Sequence, residues 1–175
     1  MSGCLKIDLH VHTFYSGDAL TSPEEAVLWA ARVGLDGLAI TDHETMRGAR
    51  RALELGRRRG LLVLPGLEVE TRGGHILAIC PSEPVRPGLG LEEALDAIRD
   101  AGGLAVLAHP YSLLAPRSWT REGLMALDAI EVFNASDILM PLTSRLALRL
   151  AARLGKPMTG GSDAHSPEAI GAAYT

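Results

Sequence analysis

Six histidines occur in this chain of 175 residues, and two of them stand one residue apart in "DLHVHTFYSGD", residues 8–18. Alone, His10-x-His12 is a weak motif, because two imidazoles on one strand need not share a ligand. The remaining histidines sharpen it. His12 follows the strand-like "CLKIDLHVH", His43 follows "GLAIT", His109 follows "LAVLA", and His165 follows the strand before "SDAH". In parallel α/β folds the carboxyl ends of the strands form the functional face, so residues scattered in sequence converge there. Alternation along a strand puts Asp8, His10 and His12 on one face of the first strand, and Asp163 and His165 on one face of the last. These two sets, from opposite ends of the chain, meet only if the sheet curls.

Carboxylates complete the pattern. Asp18 follows the paired histidines in a glycine-containing loop, Glu68 follows "LLVLPGL", and Asp163 precedes His165. Mixed imidazole and carboxylate ligation suits Zn, Mn or Fe(II), and it describes an open, catalytic site rather than a closed structural one. His75 fits less easily. A two-residue turn at Gly73 and Gly74 pairs Arg72 with His75, leaving His75 about 13 Å along the ribbon from Glu68, so the hairpin must twist or bulge for both to join one cluster. Asp8 could orient a histidine or simply begin its strand. Arg47, beside "TDHET", and Arg117 could give bidentate contacts to phosphate or lie solvated on the surface; Asn134 is a third candidate contact.

The elements that must position these residues alternate β then α. "SPEEAVLWAARVGLD" opens with Ser22 as N-cap, Pro23 in the first turn and Glu25 completing a capping box. "ETMRGARRALELGRRRG" reads as a second helix closing in basic residues and Gly60. "LLVLPGLEVE" and "HILAIC" form a hairpin-like pair, and "LEEALDAIRDAGG" is a third helix. "LAVLAH" and "DAIEVF" are strands, "SRLALRLAARLG" is a helix and "PMTGGSDAH" a last strand. The loop "YSLLAPRSWT" shows no clear periodicity. The order favours parallel strands with crossover helices, an α/β sheet or barrel.

Composition sets the outer limits. The length fits a single domain, residues 1–175. Hydrophobic residues make up 47% and charged residues 22%, as in a soluble globular protein rather than a disordered one. A net charge of -4 argues against a broad basic face for duplex nucleic acid, though a local pocket could still take phosphate. Arg57, Arg58 and Arg59 read as a solvated helix end. Cys4 and Cys80 read as reduced, partly buried thiols. With no signal-peptide pattern and no long apolar run, the chain reads as cytoplasmic, with no membrane partner. Its oligomeric state is open.

Six motifs, "DLHVHTFYSGD", "AITDHET", "PGLEVETRGGHILAI", "LAHPY", "IEVFNA" and "GGSDAH", resemble in order and spacing the PHP (polymerase and histidinol phosphatase) superfamily, most closely its short stand-alone TrpH-like members. The resemblance covers nearly the whole chain, and all six histidines fall inside the motifs. It implies a distorted seven-stranded β/α, TIM-like barrel carrying a trinuclear metal site with phosphoesterase activity. Carried over by position, His10, His12, Glu68 and Asp163 resemble the ligands of one metal. Glu68 would bridge to a second held by His75 and His109, and Asp18, His43 and His165 would hold the third. The chain lacks the domain that longer TrpH-like proteins insert between "AHPY" and "IEVFN", and with it any substrate contacts from there. It ends at "GAAYT", shortly after the last ligand, so the closing barrel elements are expected to be abbreviated or continued in a longer chain.

The resemblance implies hydrolysis of a small phosphoester by a metal-activated water framed by Glu68, His109 and Asp163, with up to three Mn, Zn or Fe ions per chain. A nucleotide or short oligonucleotide is the expected substrate, with a histidinol-phosphate-type monoester as the alternative; at 4% aromatic residues the chain offers little stacking surface for long single strands. An amidohydrolase-like deaminase or deacetylase is disfavoured, because a bridging lysine carbamate is common there and the chain's lysines are Lys6 and Lys156, the latter at the wrong end of the barrel. A structural or regulatory role without catalysis is the third reading; such domains often lose ligands, whereas all nine stand here.

Overall fold

The computed structural model describes residues 3–113 and 117–175. Seven strands form one sheet in chain order: β1 (Ile7–Val11), β2 (Gly37–Ile40), β3 (Leu62–Thr71), β4 (Gly74–Ile79), β5 (Leu104–Leu107), β6 (Ala129–Asn134) and β7 (Met158–Gly161). All neighbours are parallel except β4, which runs against both β3 and β5. The sheet curls into a nearly closed barrel. At its seam, Val11 bridges Ala164 in parallel, and the N–H groups of Asp163 and His12 donate to the carbonyls of His10 and Ala164 at 2.8 and 3.0 Å. The two ends of the chain therefore do meet.

Five helices cover the outside: α1 (Pro23–Arg32), α2 (Arg47–Arg59), α3 (Leu91–Asp100), α4 (Arg121–Ala126) and α5 (Met140–Leu154). Helix α1 starts as its sequence dictates, with the reciprocal Ser22–Glu25 capping box in place. Helix α2 stops at Gly60, whose φ of 70° suits glycine, and leaves the three arginines of its last turn exposed. Helix α5 begins at Met140, ahead of the periodic stretch that starts at Ser144, because Pro141 fits a first helical turn. Helix α4 was not expected: six residues are too few to show a period. None of these helices, among the described residues, is long and apolar enough to cross a membrane.

Apolar residues sort into three layers. Ala26, Ala30, Ala49 and Ala52 of α1 and α2 pack on Leu38, Ile40 and Val63, while Leu91, Leu95 and Ile98 of α3 pack on Leu67, Ile76, Ala105 and Leu107. The alternate strand residues Ala39, Leu77, Ile79, Val106, Ala108 and Ala129 fill the barrel interior without any helix. Alanines alternate with larger aliphatic side chains in this narrow space, and at the carboxyl-terminal end of the barrel apolar filling gives way to buried histidines and carboxylates. Both cysteines, Cys4 and Cys80, are free and exposed, which corrects the partly buried reading: each lies outside the strand register that would have turned it inward.

Candidate metal centre

Every proposed ligand sits at one end of the barrel. His10 and His12 end β1, His43 follows β2, Glu68 lies in β3, His75 near the start of the reversed β4, His109 follows β5, and Asp163 and His165 follow β7. Asp18 comes from the loop after β1, which is tied to the last group by the Leu20 N–H donating to the His165 carbonyl at 2.9 Å.

Glu68, buried at 1% exposure, is the hub. Its Oε2 lies 3.2 Å from the Nε2 atoms of both His10 and His12 and 3.4 Å from His43 Nδ1, while its Oε1 lies 3.0 Å from His75 Nδ1 and 3.1 Å from His109 Nε2. Asp163 Oδ1 completes the first set at 3.4 and 3.2 Å from His10 and His12 Nε2. Asp18 Oδ2 stands 3.4 Å from His43 Nε2 and 3.3 Å from His165 Nε2. Three groups result, each with donor atoms within 4.8 Å of one another: His10, His12, Glu68 and Asp163; Glu68, His75 and His109; and His12, Asp18, His43 and His165. All nine residues singled out from the sequence fall in them.

The hairpin explains how His75 arrives. The tip is Arg72–Gly73, with Thr71 paired to Gly74 and Glu70 to His75, so the expected Arg72–His75 pairing is wrong by one residue on each strand. Thr71 sets this register: its hydroxyl donates to the Gly74 carbonyl and accepts from the Gly73 N–H. Glu68 and His75 become diagonal neighbours across the ribbon, close enough for their side chains to touch without any bulge.

Two buried carboxylates that the sequence did not single out orient the imidazoles. Glu131 of β6 takes His10 Nδ1–H on Oε1 at 3.0 Å, and its Oε2 accepts from the His109 N–H at 2.8 Å and from Asn134 Nδ2 at 3.1 Å. Asp42 acts at one remove: it accepts from the Ser16 hydroxyl at 3.2 Å, so Ser16 Oγ, 2.9 Å from His12 Nδ1, is left to accept that ring's proton. Both arrangements place the Nδ1 proton away from the cluster and turn Nε2 toward it, the nitrogen that a cation would take in place of a proton. Asp8 does neither of the expected things. It accepts from the N–H groups of His10, Ser162 and Gly171, holding the seam and the last turn together rather than orienting a ring.

Two glycines permit these approaches. A Cβ on Gly161 would lie 2.5 Å from His10 Cβ and 2.9 Å from Glu131 Oε1, and one on Gly48 would lie 2.0 Å from Asp42 Oδ2. Two proposed ligands stand on left-handed backbone, His109 with φ 25° and Asp163 with φ 54°, as does Glu44 at 59°. Such conformations in non-glycine residues concentrate at functional sites.

The donor set fits divalent cations. His10 and His12 point their Nε2 atoms at each other across 3.1 Å, with carboxylate oxygens around them. Acceptors pressed this closely need positive charge between them. Protons alone have to work hard to supply it: burial pushes the His12 imidazole down, but hydrogen bonds to Asp163 and Glu68 outweigh this and lift it to about 9. Burial likewise raises Glu68 and Asp163, yet His10 and the neighbouring imidazoles hold both well below the usual carboxylate range. His43, half-buried, is pushed down chiefly by burial.

Residues 8–121 match the PHP domain, and residues 141–175 match the family described as PHP-associated. The chain belongs to the PHP domain family. An uncharacterized protein of Methanocaldococcus jannaschii is 36% identical over 141 residues, covering 75% of this PHP domain protein and 82% of the relative. Two matches carry named activities: a 3',5'-nucleoside bisphosphate phosphatase of Chromobacterium violaceum, 39% identical, and a phosphoribosyl 1,2-cyclic phosphate 1,2-diphosphodiesterase of Eggerthella lenta, 38% identical. They match 54% and 52% of this chain, and the matched segment spans 33% of each. A solved structure described as a proposed metal-dependent phosphoesterase, from Bifidobacterium adolescentis, superposes with a TM-score of 0.83 at 22% identity, covering 99% of this chain and 93% of that one. The barrel fold is thus shared over its whole length.

In this PHP domain the cluster opens into a cavity of about 280 Å³, walled by His43, Glu68, His75, His109, Asp163 and His165 on one side. The three substrate contacts expected from sequence fare differently. Asn134 lines the cavity, but its amide hydrogens go to Glu131 and, at 3.2 Å, to Asp163, so it positions carboxylates. Arg47 stacks over the Tyr15 ring, 5.0 Å from its centre, and neither it nor the exposed Arg117 is among the described residues lining the cavity.

Proposed function

We propose that this PHP domain, a single unit over residues 1–175, hydrolyses small phosphoesters with divalent cations held by the three groups. His10, His12, Glu68 and Asp163 would hold one ion, Glu68, His75 and His109 a second, and Asp18, His43 and His165 a third, drawn from Mn, Zn or Fe. The observation that carries this reading is Glu68, whose two carboxylate oxygens face two different groups from a buried position. Ions bound there would supply Lewis acidity toward the phosphate and toward the attacking water. The chain supplies the rest. Glu131 and the Ser16–Asp42 pair keep His10 and His12 in one tautomer, and Glu68 and Asp163 stay ionised through neutral pH, so they act as fixed negative charge rather than as acids. Glu68, His109 and Asp163 border the cavity and would frame the attacking water.

A substrate of nucleotide size is supported by the two relatives named for phosphoester cleavage and by the modest cavity. The amidohydrolase-like alternative loses support from Lys156, whose ammonium donates to the carbonyls of Met125 and Leu127 at the opposite end of the barrel. The exposed free thiols of Cys4 and Cys80 support a reducing, cytoplasmic setting. The test is hydrolysis of a generic phosphoester by protein loaded with Mn(II) or Zn(II), abolished in Glu68→Ala and His109→Ala. Wild-type protein inert with every metal across a broad phosphoester panel would sink the reading.

A further inference from the structure

Beside the proposed metal-binding groups, the cavity lining includes two exposed apolar side chains. Leu113, on the loop after β5, is 68% exposed, and Ile138, on the turn between β6 and α5, is 86% exposed, yet both line the same cavity as Glu68 and His109. Exposed aliphatic side chains are ordinary when scattered singly, and Leu5 and Leu20 are exposed elsewhere on this surface; Leu113 and Ile138 differ in lining one cavity together with the proposed metal ligands. Ile138 does not owe its position to a loose loop. Its turn is pinned to the cluster: the Ser136 hydroxyl lies 3.0 and 2.9 Å from the carbonyls of Ser162 and Asp163, the Ser136 N–H donates to Asn134 Oδ1, and Asp137 accepts from the Leu139 N–H. Ile138 is therefore carried on a turn tied directly to the residues that would bind phosphate.

Charge and size narrow the occupant. Apart from the histidines and carboxylates of the three groups, the charged side chain lining the cavity is Asp137, and no lysine or arginine lines it among the described residues. A second phosphate there would meet a carboxylate instead of a cation. At about 280 Å³ the space lies just below the range of about 300–1,000 Å³ that takes drug-sized ligands, enough for a phosphoryl group and one ring.

We propose that Leu113 and Ile138 form an apolar subsite for the organic group esterified to the phosphate, and that the preferred substrate is a monoester carrying one phosphate and one flat ring of about nucleobase size. This rests on the phosphoesterase reading for the position of the phosphate, but it is tested separately. The metal-loaded chain is titrated calorimetrically with phenylphosphonate and methylphosphonate, neither of which is hydrolysed, and with a nucleoside monophosphate and the matching 3',5'-bisphosphate. Wild type should bind phenylphosphonate about tenfold more tightly than methylphosphonate, a difference typical of filling one apolar pocket. In the double variant Leu113→Ser, Ile138→Ser that ratio should fall to about twofold or less, with metal content and turnover of methyl phosphate unchanged, since both side chains are exposed and neither belongs to the three donor groups.

Equal binding of the two phosphonates, binding of neither, a preference that survives the double substitution, or tighter binding of the bisphosphate overturns the subsite. A phenyl preference in a protein that hydrolyses no phosphoester would instead uphold the subsite and overturn the activity. Hydrolysis without a phenyl preference does the reverse.

Discussion

The inner and outer parts of the proposed metal-binding cluster are built differently. His10 and Glu68 are 0% and 1% exposed, and each makes contacts from several directions. Asp18 and His165, in contrast, have side chains 52% and 37% exposed, and Asp18 rides on a loop. Buried ligands with carboxylate partners are held in one geometry before any ion arrives, whereas exposed ones lose side-chain freedom when it binds. The difference teaches that the three groups should not behave as one site. The inner pair should fill first and empty last, and the outer group should exchange its ion with solvent.

The sharpest test is Glu68→Ala, which removes an oxygen from both inner groups at once. Turnover should drop on the order of 10³-fold, the loss of several kcal/mol of charge stabilisation, and metal analysis should show both inner ions depleted. Next comes Glu131→Ala, which frees His10 Nδ1 and the His109 N–H together; about 10- to 100-fold weaker metal binding is expected, read by competition with a chromophoric chelator, with Gln retaining part of it. Asp18→Asn should be milder, about tenfold or less on turnover, with the inner ions still present after brief chelation. If Asp18→Asn strips the protein as thoroughly as Glu68→Ala, the distinction between inner and outer groups fails.

A smaller effect follows from protons. In metal-free protein the partners of His12 hold it at about 9, above the ordinary 6.5. A raised imidazole pKa contributes stability that is whole below the ordinary value and lost as pH rises through the raised one. Metal-free protein should therefore lose thermal stability between pH 6.5 and about 9. Metal-loaded protein should not, because cations then hold the ring nitrogens. Melting curves with and without chelator across that interval decide it; parallel curves would show that His12 does not join the inner group.

Much of this was legible in the sequence for one reason: a barrel converts strand ends into a rim, so placing His12, His43, His109 and His165 after strands was enough to bring them together. The parts that were not legible depend on contacts without local signature. Glu131 meets His10 across 121 positions of sequence, and nothing near it distinguishes a carboxylate turned into the barrel from one facing solvent. The hairpin register turned on the Thr71 hydroxyl, which outweighed the obvious Gly73–Gly74 pair. Asp42 carries no local mark either: it is the absence of a side chain on Gly48 that lets α2 close over its carboxylate. Asn134 was expected to contact substrate, but both its amide hydrogens go to carboxylates, Glu131 and Asp163, a pairing with no local signature.

The left-handed backbone at His109 and Asp163 sets this protein against its own robustness. Each such residue costs of order 1–3 kcal/mol that glycine there would not, against a total stability of only about 5–15 kcal/mol. A search for heat-resistant variants, scored on folding alone, would be drawn to these two positions and would relieve the strain by deleting the ligands. Stabilising this barrel safely therefore means working on the helical shell and leaving the strand ends under tension.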